Sequence, residues 1–292
     1  MSSQVKRQIE LTARVHTYAS SEGGILANAY LIETNDGVVA LDATLTVSDA
    51  NELRDLLDSL GRPLLAVLVT HGHPDHYNGI TQLIAGNSVP IIATSGVDRV
   101  IREWDAKKEQ QWKPMFGDEW PAQRTFPDRI AQDGESFVFG DVRFTVHDLG
   151  PGESHHDSYW IAEDGHGRVA FIGDLAFNGE HSYVSDGHTS RWLENLDRVR
   201  KDLADVSRIY PGHGPAGGSE LFERQRLYLE RYRQEVRELA SGRSTLTDAE
   251  KTQLTQRITE YLPGGRINFL ISAGADAVAH ELAKLETATD LK

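Results

Sequence analysis

The chain has 292 residues, 39% hydrophobic and 25% charged, and 44 acidic against 30 basic side chains give a formal charge of −14. A chain of this length buries a sizeable core, and its acidity, with no basic run, argues against nucleic acid as a partner. There are no cysteines, which excludes disulfides, thiolate metal ligands and a cysteine nucleophile. The first residues, MSSQVKRQIELTARV, hold no apolar signal core, and no segment approaches membrane-spanning length. The expected location is therefore cytoplasmic, with no membrane partner.

In chain order, residues 28–44 read as two strands joined by Asn35-Asp36-Gly37, a hairpin signal, with the second run ending at Asp42. Residues 47–61 read as a helix, capped by Ser48 or Asp49, with apolar spacing at Leu53, Leu56, Leu57 and Leu60 and a stop at Gly61. LLAVLVT (64–70) is a buried strand, 76–86 a helix and 89–94 another strand. Residues 97–127 break the rhythm. They hold Trp104, Trp112, Met115, Phe116 and Trp120, too apolar for an exposed loop, and could form a lid or pocket wall, a homodimer contact or a core helix.

Strand pairs follow at 135–150 and 157–177, then a helix at 191–203 and a strand into a turn at 206–214. From 219 the pattern is helical, over 219–240, 247–261 and about 268–286. Two strand-and-helix halves of similar layout suggest an α/β two-sheet sandwich flanked by helices.

The densest chemistry is THGHPDH at 70–76: three histidines and an aspartate within six residues, where a buried strand opens into a loop. His71 and His73 lie two apart and point the same way on an extended loop, while Asp75 and His76 can diverge toward a second ion. Imidazole and carboxylate without thiolate suit Zn²⁺, Mn²⁺ or Fe²⁺. Further candidates end later strands: Asp174 in FIGD, His213 in YPGHG, and a group in GPGESHHDS at 150–158.

Together, Asp42, THGHPDH, GPGES, Gly173-Asp174 and GHG at 212–214, in that order, resemble the metallo-β-lactamase-fold hydrolases over about residues 10–216. The resemblance implies an αββα sandwich with the site at one edge, and residues 217–292 as a C-terminal helical extension packed on it. It also implies that His71 and His73 bind a first metal, that Asp75, His76 and His213 bind a second, and that Asp174 bridges them. One position departs from the family pattern. A histidine usually follows Pro-Gly in the third motif; here Glu153 does. Either Glu153 replaces it as an oxygen ligand, or His155 or His156 swings in.

Two divalent cations, zinc first, would lower the pKa of a water held between them and polarise the electrophile. Asp75 suits orienting that hydroxide or shuttling its proton. Asp42 reads as an acceptor buttressing the histidine loop, or as a plain turn aspartate. His181, in the loop after Asp174, is a candidate substrate contact or a solvated histidine. The expected function is a dinuclear metal hydrolase of a small neutral or apolar ester or lactone. Thiolester hydrolysis and mononuclear-iron sulfur oxygenation are the alternatives; a nuclease and a non-catalytic binding protein rank behind them.

Overall fold

A computed structural model describes residue 11 and residues 13–289. The first sheet is built in chain order from β1 (Val15–Ala19), β2 (Asn28–Glu33), β3 (Val38–Leu41), β4 (Leu64–Leu68), β5 (Ile91–Thr94) and β6 (Arg129–Ala131), with α1 (Val47–Ser59), α2 (Pro74–Tyr77), α3 (Ile80–Ile84) and α4 (Ser95–Phe116) among them. The second sheet has the order β11-β10-β9-β8-β7, from β7 (Ser136–Phe139), β8 (Val142–Gly150), β9 (Asp157–Glu163), β10 (Arg168–Phe171) and β11 (Arg208–Tyr210). Its helices are α5 (Thr189–Asp202), α6 (Glu220–Ala240), α7 (Asp248–Tyr261), α8 (Phe269–Ala273) and α9 (Ala275–Thr289).

The layers follow from side-chain alternation along the strands. In β2, Ala29 and Leu31 face a core shared with α1, α3 and α4, while Tyr30 and Ile32 face the other sheet. In β9, Trp160 and Ala162 face inward between the sheets, while Tyr159 and Ile161 face the helices. The result is helices, sheet, sheet, helices: the αββα sandwich. The apolar faces of α6, α7 and α9 join the second sheet and α5 in one continuous core, through residues such as Leu229, Val236, Leu254 and Val278. The C-terminal helices thus share a core with the sandwich. Among the described residues, no helix is long and apolar enough to cross a membrane.

Three local expectations change. The cap of α1 is Thr46, whose hydroxyl accepts from Asp49 N at 3.1 Å and donates to the Asp49 carboxylate at 2.6 Å; Asp49 acts from inside the first turn. The helix expected over 76–86 is two short helices interrupted at Asn78-Gly79. The last helix is broken at Gly274, where an added Cβ would lie 2.3 Å from the Val184 side chain, so the chain passes too close to the 177–188 loop for any larger residue.

The strands that position the site run in one direction. β3 and β4 are parallel, as are β10 and β11, so Asp42, the histidine loop, Asp174 and His213 all emerge at strand C-terminal ends on one edge. Hydrogen bonds sew the two sheets together there: Ser158 N donates to Thr70 O at 2.9 Å, and Asn28 N to Gly212 O at 2.7 Å.

Candidate metal centre

Two adjoining groups of buried side chains converge at this edge. His71, His73, Glu153 and Asp174 form one; Asp75, His76, Asp174 and His213 form the other, and in each group one nitrogen or oxygen per residue lies within 4.8 Å of the others. Asp174 belongs to both. All seven are buried, with Glu153 only 1% exposed.

The tautomers follow from hydrogen bonding. The Thr70 hydroxyl donates to Asp42 Oδ2 at 2.8 Å, so its oxygen accepts from His71 Nδ1 at 3.0 Å. That leaves His71 Nε2 with a lone pair toward the cluster. Asp42 Oδ2 also accepts from His76 Nδ1 at 2.8 Å, and Asp42 Oδ1 from Thr70 N at 2.9 Å, which frees His76 Nε2. His73 is turned the other way: Nε2 donates to Asp186 Oδ2 at 3.1 Å, and Nδ1 faces Glu153 Oε2 at 3.0 Å. Three imidazoles are therefore anchored from behind, each presenting its other nitrogen inward. Asp42 performs this from a left-handed backbone conformation, φ +60°, the kind of strain that accompanies functional sites.

Glu153 arrives through the turn after β8. Asp157 shapes that turn, accepting from Glu153 N at 2.6 Å and from Ser154 N at 3.0 Å. The other two candidates at this motif point elsewhere. His155 Nδ1 sits 2.9 Å from His188 Nε2 and its ring packs on Trp104, while His156 Nε2 donates to Asp148 at 2.5 Å. The turn carrying His213 comes close to Asp174, where a Cβ on Gly212 would fall 1.9 Å from Asp174 Oδ1.

The donor set fits divalent cations. His71 Nε2, His76 Nε2, both Glu153 oxygens and Asp174 Oδ1 are buried with no hydrogen-bond partner, which is costly unless something else satisfies them. Electrostatics agree. Burial pushes the Glu153 carboxyl up to about 8, against the pull of His73. Burial alone would lower His213, yet Asp174 and Asp75 push it up to about 10. Burial opposes protonation of His76 in the same way, and Asp75 and Asp174 again outweigh it and raise the imidazole. The site is short of positive charge: the neighbouring carboxylates raise His73, His76 and His213, which take up protons where a cation would replace them, while burial keeps His71 neutral.

The groups open onto a cavity floored by His73, Asp75, Asp174 and His213. Its walls are Trp112 and Phe116 of α4, Trp120 just beyond, Ile25, Leu45, Phe177, and Phe269 and Leu270 of α8. The 97–127 segment and the C-terminal extension thus both contribute wall. His181 does not line the cavity: it is buried, its Nδ1 lies 3.3 Å from the Tyr228 hydroxyl, and its ring packs on Gly265. Tyr183 of the same loop lines it instead, with Lys108 opposite. Lys108, Tyr183 and Asp186 carry no motif that marks them in the sequence. Only the alignment of Lys108 with the aromatic face of one helix, four residues before Trp112 and after Trp104, hinted at its direction.

An αββα sandwich with paired histidine and carboxylate groups at one edge is the architecture of a metallo-hydrolase. The profile of the metallo-beta-lactamase superfamily matches residues 23–213, and the chain belongs to that superfamily, which implies divalent metal ions. Its relatives are distant. A hydroxyacylglutathione hydrolase of Bdellovibrio bacteriovorus is 26% identical over 190 residues, 65% of this chain and 64% of that protein. One from Idiomarina loihiensis is 24% identical over 256 residues, 85% of each. The chain spans 64%, 54% and 64% of the length of the first three curated relatives it matches. Among solved structures, a beta-lactamase domain protein from Burkholderia ambifaria superposes with a TM-score of 0.68 at 21% identity, covering 94% of this chain and 87% of the other. A metallo-beta-lactamase family protein from Thermus thermophilus gives 0.66 at 20% identity, covering 94% of each. These likenesses show the fold.

Proposed function

We propose that the protein is a metal-dependent hydrolase of a small, largely apolar carboxylic ester or lactone. The observation that carries this reading is a pair of buried histidine–carboxylate groups with unpartnered nitrogen and carboxylate atoms, four of whose residues, His73, Asp75, Asp174 and His213, floor a cavity with apolar walls. His71, His73 and Glu153 would hold one cation, Asp75, His76 and His213 a second, and Asp174 would serve both. Two divalent cations there, zinc first by the donor set, would supply Lewis acidity toward the electrophile and lower the pKa of water.

The chain's own groups do the rest. Asp75 reaches the cavity. Burial alone would raise its carboxyl, but His76 and His213 hold it well below the usual range, so it stays ionised as a ligand and as a hydrogen-bond acceptor that orients an attacking water. Trp112, Phe116, Trp120, Phe177 and Phe269 exclude bulk water and seat the apolar body of the substrate. Glu153 in place of a histidine makes the site one charge more negative, which favours tight retention of the cation over strong electrophilic pull.

A second reading, thiolester hydrolysis, is favoured by the names of the hydroxyacylglutathione hydrolases. A peptidic thiol with several charges would want several cationic contacts, and Lys108 is the one lysine or arginine among the described lining residues.

The test is elemental analysis of wild type and Glu153→Ala purified without added metal, with lactone, aryl-ester and thiolester hydrolysis measured on the same samples. About two metals per chain, falling toward one in the variant with loss of activity, supports the reading. Unchanged metal in the variant removes Glu153 as a ligand. A single iron with no hydrolysis of any class overturns the hydrolase assignment.

A further inference from the structure

One lysine interrupts the apolar walls of the cavity. Lys108 projects from α4 and is 6% exposed. An ammonium carries three donors. Among the described residues its one hydrogen bond goes to the Tyr183 hydroxyl at 3.3 Å. The nearest carboxylate is Asp186, whose Oδ1 makes a long ion pair with Nζ at 3.8 Å, beyond hydrogen-bond reach, while its Oδ2 accepts from His73. A lysine whose purpose was to neutralise Asp186 would close that gap, because burying an ammonium is costly without a tight partner. Its ammonium faces the Tyr183 ring instead, with Nζ 5.1 Å from the centroid, and the side chain lines the cavity.

Its position also fixes what it can reach. Asp186 stands between Lys108 and His73 Nε2, while His73 Nδ1 faces Glu153. The ammonium is therefore on the far edge of the imidazole from the clustered ligands. It addresses a substituent of the substrate rather than the carbonyl under attack. One cation and one phenol match a monoanion, and the aromatic walls match the apolar remainder. A phosphate dianion would need more donors than this end of the cavity supplies.

We propose that Lys108 Nζ and the Tyr183 hydroxyl form an anion subsite, and that the substrate is an apolar ester or lactone bearing a carboxylate. This rests on reading the cavity as the hydrolytic site, but its test does not depend on turnover. Octanoate and octanamide, alike in length and differing in charge, are titrated calorimetrically into the metal-loaded protein. Wild type is expected to bind octanoate about tenfold more tightly than octanamide. Lys108→Met is expected to abolish that preference by weakening octanoate alone, Lys108→Arg to keep it, and Tyr183→Phe, which retains the ring, to lower it about threefold.

Equal affinities in wild type overturn the subsite. So does loss of both ligands together in Lys108→Met and Lys108→Arg, which marks a structural lysine. A preference surviving in Lys108→Met also overturns it, because the carboxylate then binds elsewhere. Failure of all ester and lactone hydrolysis with the preference and its loss intact sinks the hydrolase reading and leaves the subsite standing.

Discussion

The floor and the walls of the cavity are built in opposite ways. The floor and the ligand groups beneath it come from short turns at the ends of β4, β8, β10 and β11, each carrying its functional side chain within a few residues of the strand. The walls come from a 22-residue helix, a loop and the start of a helix near the C-terminus, so that Trp112, Tyr183 and Phe269 meet from segments far apart in sequence. Strand ends in a sandwich are held by the sheets on both sides and can place a ligand to within tenths of an ångström. Walls need only shape and polarity. Chemistry is thus fixed by the scaffold, and selectivity by what leans over it.

If that division is right, damage to the floor should be far more severe than damage to the walls. Asp174 lies in both ligand groups, so Asp174→Ala should lose both metals by elemental analysis and lower kcat/KM by about a thousandfold or more. Chelation of wild type should reproduce the loss and lower the melting temperature, since a cation present at about a thousand times its Kd contributes about 4 kcal/mol to stability. A variant that kept two metals and its activity would break the floor as described.

One step behind the ligands, Asp42→Asn tests the anchoring. An asparagine tolerates the φ of +60°, but its single carbonyl oxygen cannot serve Thr70 N, the Thr70 hydroxyl and His76 Nδ1 together, as the carboxylate does. Metal affinity by competition with a chelator should fall about 10- to 100-fold, with the fold intact by circular dichroism. No change in affinity would reduce Asp42 to a turn residue.

On the wall, Phe269→Ala should raise KM about three- to tenfold for an apolar ester and leave kcat and metal content as they are. Phe269 is already 41% exposed, so only part of its burial is lost. A fall in kcat with constant KM would show that α8 acts on the chemistry and would erase the contrast between floor and wall.

The same contrast explains what could be read before the structure. The apolar run LLAVLVT, the Gly-containing turns and the histidine spacing are local signals for strands and a metal-ligating loop; the αββα sandwich and the ligand set followed from the resemblance those motifs carry, with Glu153, His155 and His156 left open at the third motif. Asp42 was visible as an anchor because it ends a strand. His181 was not separable from Tyr183 and Asp186, since all sit in one irregular loop with no periodicity, and only packing against Tyr228 and Gly265 turns the histidine away. Lys108 was hidden for another reason. A lysine on an amphipathic helix reads as solvated surface, and its burial depends on Tyr183, 75 positions later. The break at Gly274 likewise reflects contact with Val184, a tertiary fact that helical spacing does not carry.

The smallest effect should come from α7, which packs on the extension and supplies no residue to the cavity wall. Its N-terminus has a reciprocal cap: Thr247 Oγ1 accepts from Glu250 N at 3.4 Å, and the Glu250 carboxylate accepts from Thr247 N at 2.8 Å. Thr247→Ala removes one arm of that box and should cost about 1 kcal/mol, seen as a melting-temperature drop of about 2 °C in a chain of this size. The metal content and kcat/KM of the variant should equal those of wild type, because α7 shares the second-sheet core with α6 and α9 and gives no side chain to either ligand group. A change in KM would mean that α7 governs where α8 places Phe269. The wall would then extend through the whole C-terminal extension rather than stop at the residues that face the cavity.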